Sequence, residues 1–169
     1  MSTFVSVGNL KKPFVRLLQA VSDNVGVLPG RIVVQHGHTP FDDPNCEAVP
    51  FLRMEEFQQR VADATLVILH GGAGSIITAL QAGKRPVVMA RRAGLGEHVD
   101  DHQLELVREL GAAGRILVAE DAGSLRLLAA EALSVARGSR PEARVRRKRL
   151  DELVGADLAD WEAKLKERR

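Results

Sequence analysis

The stretch TLVILHGGAGSIITALQAGKRPVVMARRAGLGEHVDDHQ, residues 65–103, decides the fold of this chain. Its apolar start, residues 65–69, stops at a glycine-rich turn, and apolar residues then recur at helical spacing over residues 76–82. This order predicts a buried strand, a tight turn and a helix. A second apolar run at 86–90 predicts another strand, which leads into the polar segment 97–103.

The glycine-rich turn is where we expect binding chemistry, at Gly72, Ala73, Gly74 and Ser75. Glycines let a ligand approach the backbone closely. The first N–H groups of a helix lack partners and carry partial positive charge, so phosphate is the group that such a turn suits best. The Ser75 hydroxyl could cap the helix or contact phosphate. The alternative interpretation is a tight connection that binds nothing.

The rest of the chain repeats the alternation of strand and helix. Further strands are predicted at residues 4–7, 31–35 and 115–119, and helices follow most of them, whereas residues 39–50 are predicted to be irregular. About five such alternations predict an α/β fold, a Rossmann-like doubly wound parallel sheet with helices on both faces. The glycine turns at Gly8, Gly37 and Gly71–Gly74 then all follow strand carboxyl ends, where these sheets bind ligands.

Size and composition restrict the class of protein. A chain of 169 residues fits one α/β domain. The net charge of +2 indicates no polyanion partner, so no nucleic acid is expected. The single cysteine, Cys46, excludes an internal disulfide framework. No apolar run approaches the roughly 18 residues of a membrane span, and the N-terminus lacks signal-peptide features, so we expect a cytoplasmic location.

The C-terminal part differs from the rest, which suggests a domain at residues 1–137 and a basic, amphipathic helical tail at 138–169. The segment RGSRPEARVRRKR, residues 137–149, holds seven basic residues and one acidic residue, and apolar residues recur near helical spacing beyond it. The tail is interpreted either as a helix packed on the domain or as an attachment to a partner near an anionic membrane surface. The sequence does not separate the two.

Two familiar nucleotide motifs do not fit the turn. The third glycine of the dinucleotide fingerprint is missing, which argues against an NAD-dependent oxidoreductase, and the Gly-Lys-Ser/Thr ending of a P-loop is missing as well. His98 and His102 are four residues apart and aspartates are nearby, but no HExxH pattern or cysteine partner accompanies them, so no metal site is expected. His70 is expected to form hydrogen bonds at a strand end.

The polar segment before the next helix offers two uses for its side chains. Asp100 or Asp101 could cap the helix, as aspartate often does. Carboxylates and amides also suit hydrogen bonds to sugar hydroxyls, and Gln103 would then reach into the cleft. No Ser-His-Asp or Cys-His arrangement can be assigned from spacing, so the catalytic residues are unknown.

At these residues the chain resembles a known family. The segment HGGAGSIITALQAGKRPVVMARRAGLGEHVDDHQLELVRELGAAGRILV, residues 70–118, is similar to the C-terminal nucleotide-sugar-binding domain of family 28 glycosyltransferases, which have the GT-B architecture. The opening VSVGNLKKPFVRLL and the short length resemble stand-alone subunits of the PssE/EpsE type and the soluble half of the bipartite dolichol-linked N-acetylglucosamine transferase. The similarity covers about residues 3–133.

The resemblance implies roles for particular residues. The turn at 72–75 would contact the diphosphate, with Gly8 and Asn9 facing the same ligand and His70 beside it. The loop over the sugar and ribose would be formed by Glu97, His98, Asp101, His102 and Gln103. The chain departs from the family at Asn9-Leu10, where relatives usually carry Thr-His, and at Thr78, where longer peptidoglycan enzymes carry a ribose-binding glutamate.

The resemblance also implies an incomplete enzyme. The chain is expected to be the donor-binding subunit of a two-component inverting, UDP-sugar-dependent hexosyltransferase that builds exopolysaccharide or lipid-linked oligosaccharide. A membrane-anchored, PssD-like subunit would bind the lipid-linked sugar acceptor and would hold this chain at the inner face of the membrane. The donor is a substrate, and no cofactor is expected. The alternative is a non-catalytic regulatory protein that binds UDP-sugar.

Overall fold

The computed structural model describes residues 1–137. Within this range the strands are β1 (Ser2–Ser6), β2 (Arg31–Gln35), β3 (Cys46–Val49), β4 (Leu66–His70), β5 (Val87–Met89) and β6 (Leu117–Val118). The α-helices are α1 (Val15–Ser22), α2 (Met54–Asp63), α3 (Ala73–Gln81), α4 (His102–Ala112) and α5 (Ala122–Arg137), and Ala93–Leu95 forms a 3-10 turn. The predicted tail, 138–169, lies outside the described residues.

The six strands form one parallel sheet in the order β3-β2-β1-β4-β5-β6. Strand order reverses between β1 and β4, which pair directly, with Ser6 opposite Leu69. This is the doubly wound, Rossmann-like arrangement, and the prediction of the fold class is confirmed. The loops that follow β1 and β4 therefore lie side by side at the point where such sheets bind ligands.

Helices cover both faces of the sheet because strand residues on both faces are apolar. On one face, Val5 and Ile68 pack against α1, whose buried residues include Leu17 and Val21, and against Leu125 of α5. On the other face, Phe4 meets Phe57 of α2 edge to face at a ring-centroid distance of 5.5 Å. Each fully buried side chain of this kind stabilises the fold by about 1.5–3 kcal/mol.

Two of the differences between the predicted and the observed elements have a clear physical reason. Residues 39–50 were predicted to be irregular, which is wrong for Cys46–Val49, since this short segment pairs in parallel with β2 at the sheet edge. Its mixed residues carry little strand signal, and the pairing comes from the neighbouring strand. The helix predicted at residues 76–82 begins earlier, at Ala73. Glycine and serine are poor helix formers, so the sequence suggests a later start, but both residues are tolerated in a first turn.

Within residues 1–137, no helix is both long enough and apolar enough to cross a bilayer.

Candidate functional site

The turns after β1 and β4 meet at the His70 imidazole. The φ of Gly8 is +73°, a left-handed backbone that favours glycine. A Cβ atom at Gly8 or at Gly72 would lie less than 3.0 Å from ring atoms of His70. The ring is therefore packed between the two turns, and the glycines are required because no side chain fits there. The structure brings these three predicted site residues together.

The His70 side chain is buried and neutral. Burial, together with the positive charge of Arg91, lowers the pKa of its imidazole from 6.5 to about 4. Its Nδ1 lies 3.3 Å from the Ser6 carbonyl oxygen, so this nitrogen carries the proton and donates to that oxygen. The ring thereby joins β4 to the end of β1, and it sets the separation of the two turns.

Helix α3 begins with unpaired N–H groups. Gly72 is the N-cap residue, and no side chain caps the helix. The first intrahelical bond is donated by the Ile76 N–H to the Gly72 carbonyl at 3.1 Å, and among residues 1–137 no acceptor is found for the N–H groups of Ala73, Gly74 and Ser75. Three free donors at the positive end of a helix dipole are an arrangement that suits an anion.

Polar side chains hold the β1 turn through a chain of hydrogen bonds. The Ser6 hydroxyl donates to the Gln35 amide oxygen at 2.7 Å and accepts from the Gly8 N–H at 3.1 Å. The Gln35 amide nitrogen in turn donates to the Asn9 amide oxygen at 3.0 Å. The side-chain oxygen of Asn9 therefore already has a protein partner, and its contact with a ligand stays a prediction.

A buried arginine, Arg91, holds the loop that follows β5. Its side chain is fully buried, and the guanidinium donates to the carbonyl oxygens of Val7 (2.8 Å), Lys12 (2.8 Å) and Glu97 (2.9 Å). The guanidinium also lies 4.7 Å from the centre of the Phe14 ring. Burial lowers the pKa of Arg91 to about 10, while Glu97 acts to raise it, so the group is charged at neutral pH.

Glu97 is buried, with a relative exposure of 7%, and its carboxylate is already occupied by protein donors. Arg16 binds both oxygens, from Nε at 3.0 Å and from Nη2 at 2.8 Å, and the Arg92 N–H donates to Oε2 at 2.9 Å. This bidentate pair is the stronger kind of charge-assisted hydrogen bond. Direct contact of Glu97 with a donor substrate stays a prediction.

The remaining predicted residues of the segment form its outer part. Asp101 is the N-cap residue of α4, but its carboxylate accepts the Ala93 N–H at 2.9 Å and does not cap the helix. Asp100 instead accepts the His102 N–H at 3.2 Å and contacts the imidazoles of His98 and His102 at 3.2 and 2.9 Å. Of the two aspartates predicted as possible caps, Asp101 does not cap the helix, because its carboxylate closes the preceding loop.

Gln103 lies on the first turn of α4 and faces the glycine turn. A Cβ atom at Gly71 would lie 3.1 Å from the Gln103 Cβ and 3.2 Å from its amide oxygen. That oxygen is buried and has no hydrogen-bond partner among residues 1–137. An unpartnered buried acceptor costs free energy, so the position of this amide beside the glycine turn is typical of a binding residue. Its role in binding stays a prediction.

Three basic residues, Arg91, Arg16 and Lys12, were not predicted from the sequence. They connect the β1–α1 loop and the first turn of α1 to the β5–α4 loop. The Lys12 ammonium donates to the His98 carbonyl at 2.9 Å, and the contacts of the two arginines are given above. The only available signal was an arginine directly after a buried strand. Across residues 1–137, no cluster of three or more histidine, cysteine or acidic side chains is arranged to hold a metal ion.

Residues 3–149 match the Glycosyltransferase family 28 C-terminal domain. The chain belongs to this family. The family 28 domain is also 34% identical, over 76 residues, to the UDP-N-acetylglucosamine transferase subunit ALG13 of Yarrowia lipolytica (strain CLIB 122 / E 150). That alignment covers 45% of this chain and 37% of the relative, so the chain matches well under half of the relative's length.

Solved structures with the same fold are glycosyltransferases. The glycotransferase of kitacinnamycin superposes with a TM-score of 0.67 and 18% identity over 92% of this chain and 39% of that one. CalG4, the calicheamicin glycosyltransferase, superposes with a TM-score of 0.56 and 24% identity over 98% of this chain and 43% of that one. The family 28 domain therefore has the Rossmann-like fold that forms part of these longer GT-B chains.

Proposed function

We propose that the family 28 domain binds the diphosphate of a UDP-sugar at the start of α3 and is the donor-binding subunit of an inverting hexosyltransferase. The observation that carries this proposal is the set of three unpaired N–H groups at Ala73, Gly74 and Ser75, next to Gly8 at the reversal of strand order. Membership of family 28 supports the same reaction class, and the relative ALG13 is named as a subunit of a UDP-N-acetylglucosamine transferase.

The chemistry that follows is stabilisation of the leaving group. When the glycosidic bond forms, the bond between the sugar and the UDP diphosphate breaks, and negative charge grows on the departing phosphate oxygen. Fixed N–H donors and a helix dipole stabilise that charge without reorganisation. The carboxylate of Glu97 and the imidazole of His70 already bind protein partners, so we propose that the base that deprotonates the acceptor hydroxyl belongs to another subunit.

The proposed partner is a membrane-anchored, PssD-like subunit that binds a lipid-linked sugar acceptor. A divided enzyme is supported by the relative ALG13, which is named as a subunit. With such a partner the domain would work at the inner face of the membrane, in exopolysaccharide or lipid-linked oligosaccharide synthesis.

The anion site is tested by removing one backbone N–H. In Ala73→Pro the first helical residue loses its donor, and proline suits this position because its φ matches a helix start. Gly72 before it has φ −74° and ψ 125°, an extended conformation that proline accepts in the preceding residue. We expect UDP, titrated calorimetrically into the full chain, to bind about tenfold more weakly, the loss of about 1.4 kcal/mol typical of one charge-assisted bond.

The matched control is Met54→Pro at the first residue of α2. Arg53 before it is also extended, with φ −66° and ψ 155°, and the Met54 side chain is 66% exposed. Because α2 follows the edge strand β3, this change should leave the UDP affinity unchanged. Equal affinities for wild type and Ala73→Pro, with Met54→Pro also neutral, would reject the α3 site.

The divided enzyme is tested by reconstitution. Purified chain and a co-expressed membrane partner should transfer sugar together, while either alone should be inactive. Full transfer by this chain alone would reject that part of the proposal.

A second candidate, a non-catalytic UDP-sugar sensor, is favoured by Asn9, whose side chain binds Gln35. Unchanged polymer output in cells that carry Ala73→Pro, despite the weaker UDP binding, would favour the sensor.

A further inference from the structure

We propose that Arg91 and Glu97 are positioning residues: together they hold the segment 92–101 in its binding geometry before the donor arrives. This inference rests on the proposed function, since its purpose is to place Gln103 and the end of the segment opposite the glycine turn. Neither residue needs to touch the donor. Their effect on binding would be exerted through the backbone carbonyls and the loop that they fix.

Little of the segment 92–101 is buried. Glu97 is the one buried residue between positions 92 and 101. The apolar side chains of Leu95 and Val99, which would anchor an ordinary loop, are 58% and 72% exposed. The segment is therefore attached to the domain by polar contacts rather than by hydrophobic packing. Its geometry depends on the ion pair between Glu97 and Arg16 to an unusual degree.

The contacts of Arg91 and Lys12 join two loops. Arg91 donates to Val7 and Lys12 in the β1–α1 loop and to Glu97 in the β5–α4 loop. The Lys12 ammonium donates back across the same gap to the His98 carbonyl. Gly8 directly follows Val7, so the guanidinium that orients the turn facing the diphosphate also orients the loop that faces the rest of the donor.

The shape of the Arg91 guanidinium and the charge of Glu97 also suit a positioning role. A planar guanidinium reaches three carbonyls on two loops at 2.8–2.9 Å, which a lysine ammonium on a flexible stem cannot reproduce. Breaking the ion pair between Glu97 and Arg16 of α1 leaves an uncompensated carboxylate that is mostly buried, so the segment separates from α1 only at substantial cost. The loops therefore behave as one rigid unit, and the donor meets a site that is already assembled, which lowers the ordering cost of binding.

The experiment uses Glu97→Gln and Arg91→Lys in the full chain, with Glu131→Gln as the control. Glu131 pairs with Arg85 on the exposed surface, so the control removes a carboxylate of the same size from an ion pair far from both loops. Hydrogen exchange is followed peptide by peptide in the absence of ligand. UDP affinity is measured by calorimetry at a temperature where circular dichroism shows every variant to be folded.

We expect Glu97→Gln to accelerate exchange at 92–101 at least tenfold, to leave exchange in β1 and β4 unchanged, and to weaken UDP binding about tenfold. Arg91→Lys, which keeps the charge but loses the fork, should show the same local pattern. Glu131→Gln should resemble wild type in both measurements. The conservative variant Glu97→Asp, which keeps a carboxylate, should recover part of the affinity.

Three outcomes would overturn the inference. Unchanged exchange at 92–101 in Glu97→Gln would show that the ion pair does not hold the segment. Equal acceleration throughout the domain would assign the pair to global stability alone. Wild-type UDP affinity in Arg91→Lys would show that charge, not positioning, is what matters. A wild-type chain that does not bind UDP would instead reject the proposed function, whatever the exchange data show.

Discussion

Gly72→Ala gives a direct test of how the two turns are packed. The φ of Gly72 is −74° and its ψ is 125°, values that alanine adopts without strain, so backbone conformation contributes nothing to the effect. The added methyl group would lie less than 3.0 Å from Nε2 of the buried His70 ring. The ring has little room to move, since the Gly8 backbone also lies close to its Nε2 and Cε1 atoms.

The expected magnitude follows from this contact. Inserting one methyl group into a well-packed site costs about 1–3 kcal/mol, and we expect Gly72→Ala to reduce the free energy of unfolding by about that amount. Gly74→Ala is the matched control two residues away, because a Cβ atom there has nothing within 4 Å. Alanine is the better helix former by up to about 1 kcal/mol, so the control should be neutral or slightly stabilising.

The assay is equilibrium unfolding in urea, followed by circular dichroism. The double variant Gly72→Ala/His70→Ala removes the obstructing ring, and its cost should fall short of the sum of the single changes by about 1 kcal/mol or more. Gly72→Ala as stable as wild type, or a double variant whose costs simply add, would refute the idea that His70 sets the separation of the turns.

Other measurements test separate parts of the molecule. Gly74→Ala should weaken UDP binding about tenfold in calorimetry while unfolding in urea like wild type, because the open space beside it lies at the proposed diphosphate site. Stability should fall as the pH drops from 6.5 towards 4, by about 3 kcal/mol at most from His70, because the unfolded imidazole binds a proton that the folded one does not; His70→Gln should flatten this part of the pH profile of urea unfolding. Burial raises the pKa of Cys46 to about 11, so iodoacetamide at pH 8 should alkylate it about 100-fold more slowly than free cysteine; equal rates would contradict this.

The regular elements follow from local sequence pattern. The short-range signals are the apolar runs of β1, β2, β4 and β5 and the apolar face of α1. That face lies in the core, where Phe14, Leu17, Leu18 and Val21 are buried. The edge strand β3 was not predicted, because its pairing with β2 is a long-range effect. The predicted start of α3 was too late, because helix propensity alone favours a turn at Gly74 and Ser75.

The sequence by itself determined the class of fold, the glycine turn between β4 and α3, and the family resemblance that the match at residues 3–149 confirms. Only the tertiary structure decided which side chains are already engaged. Whether Glu97 faces a ligand or an arginine depends on Arg16, 81 positions away in the chain. The burial of His70 and Arg91 likewise comes from loops that meet only when the strand order reverses between β1 and β4. Local pattern carries no information about such contacts, because each partner is chosen by the packing of the sheet and not by its neighbours in sequence.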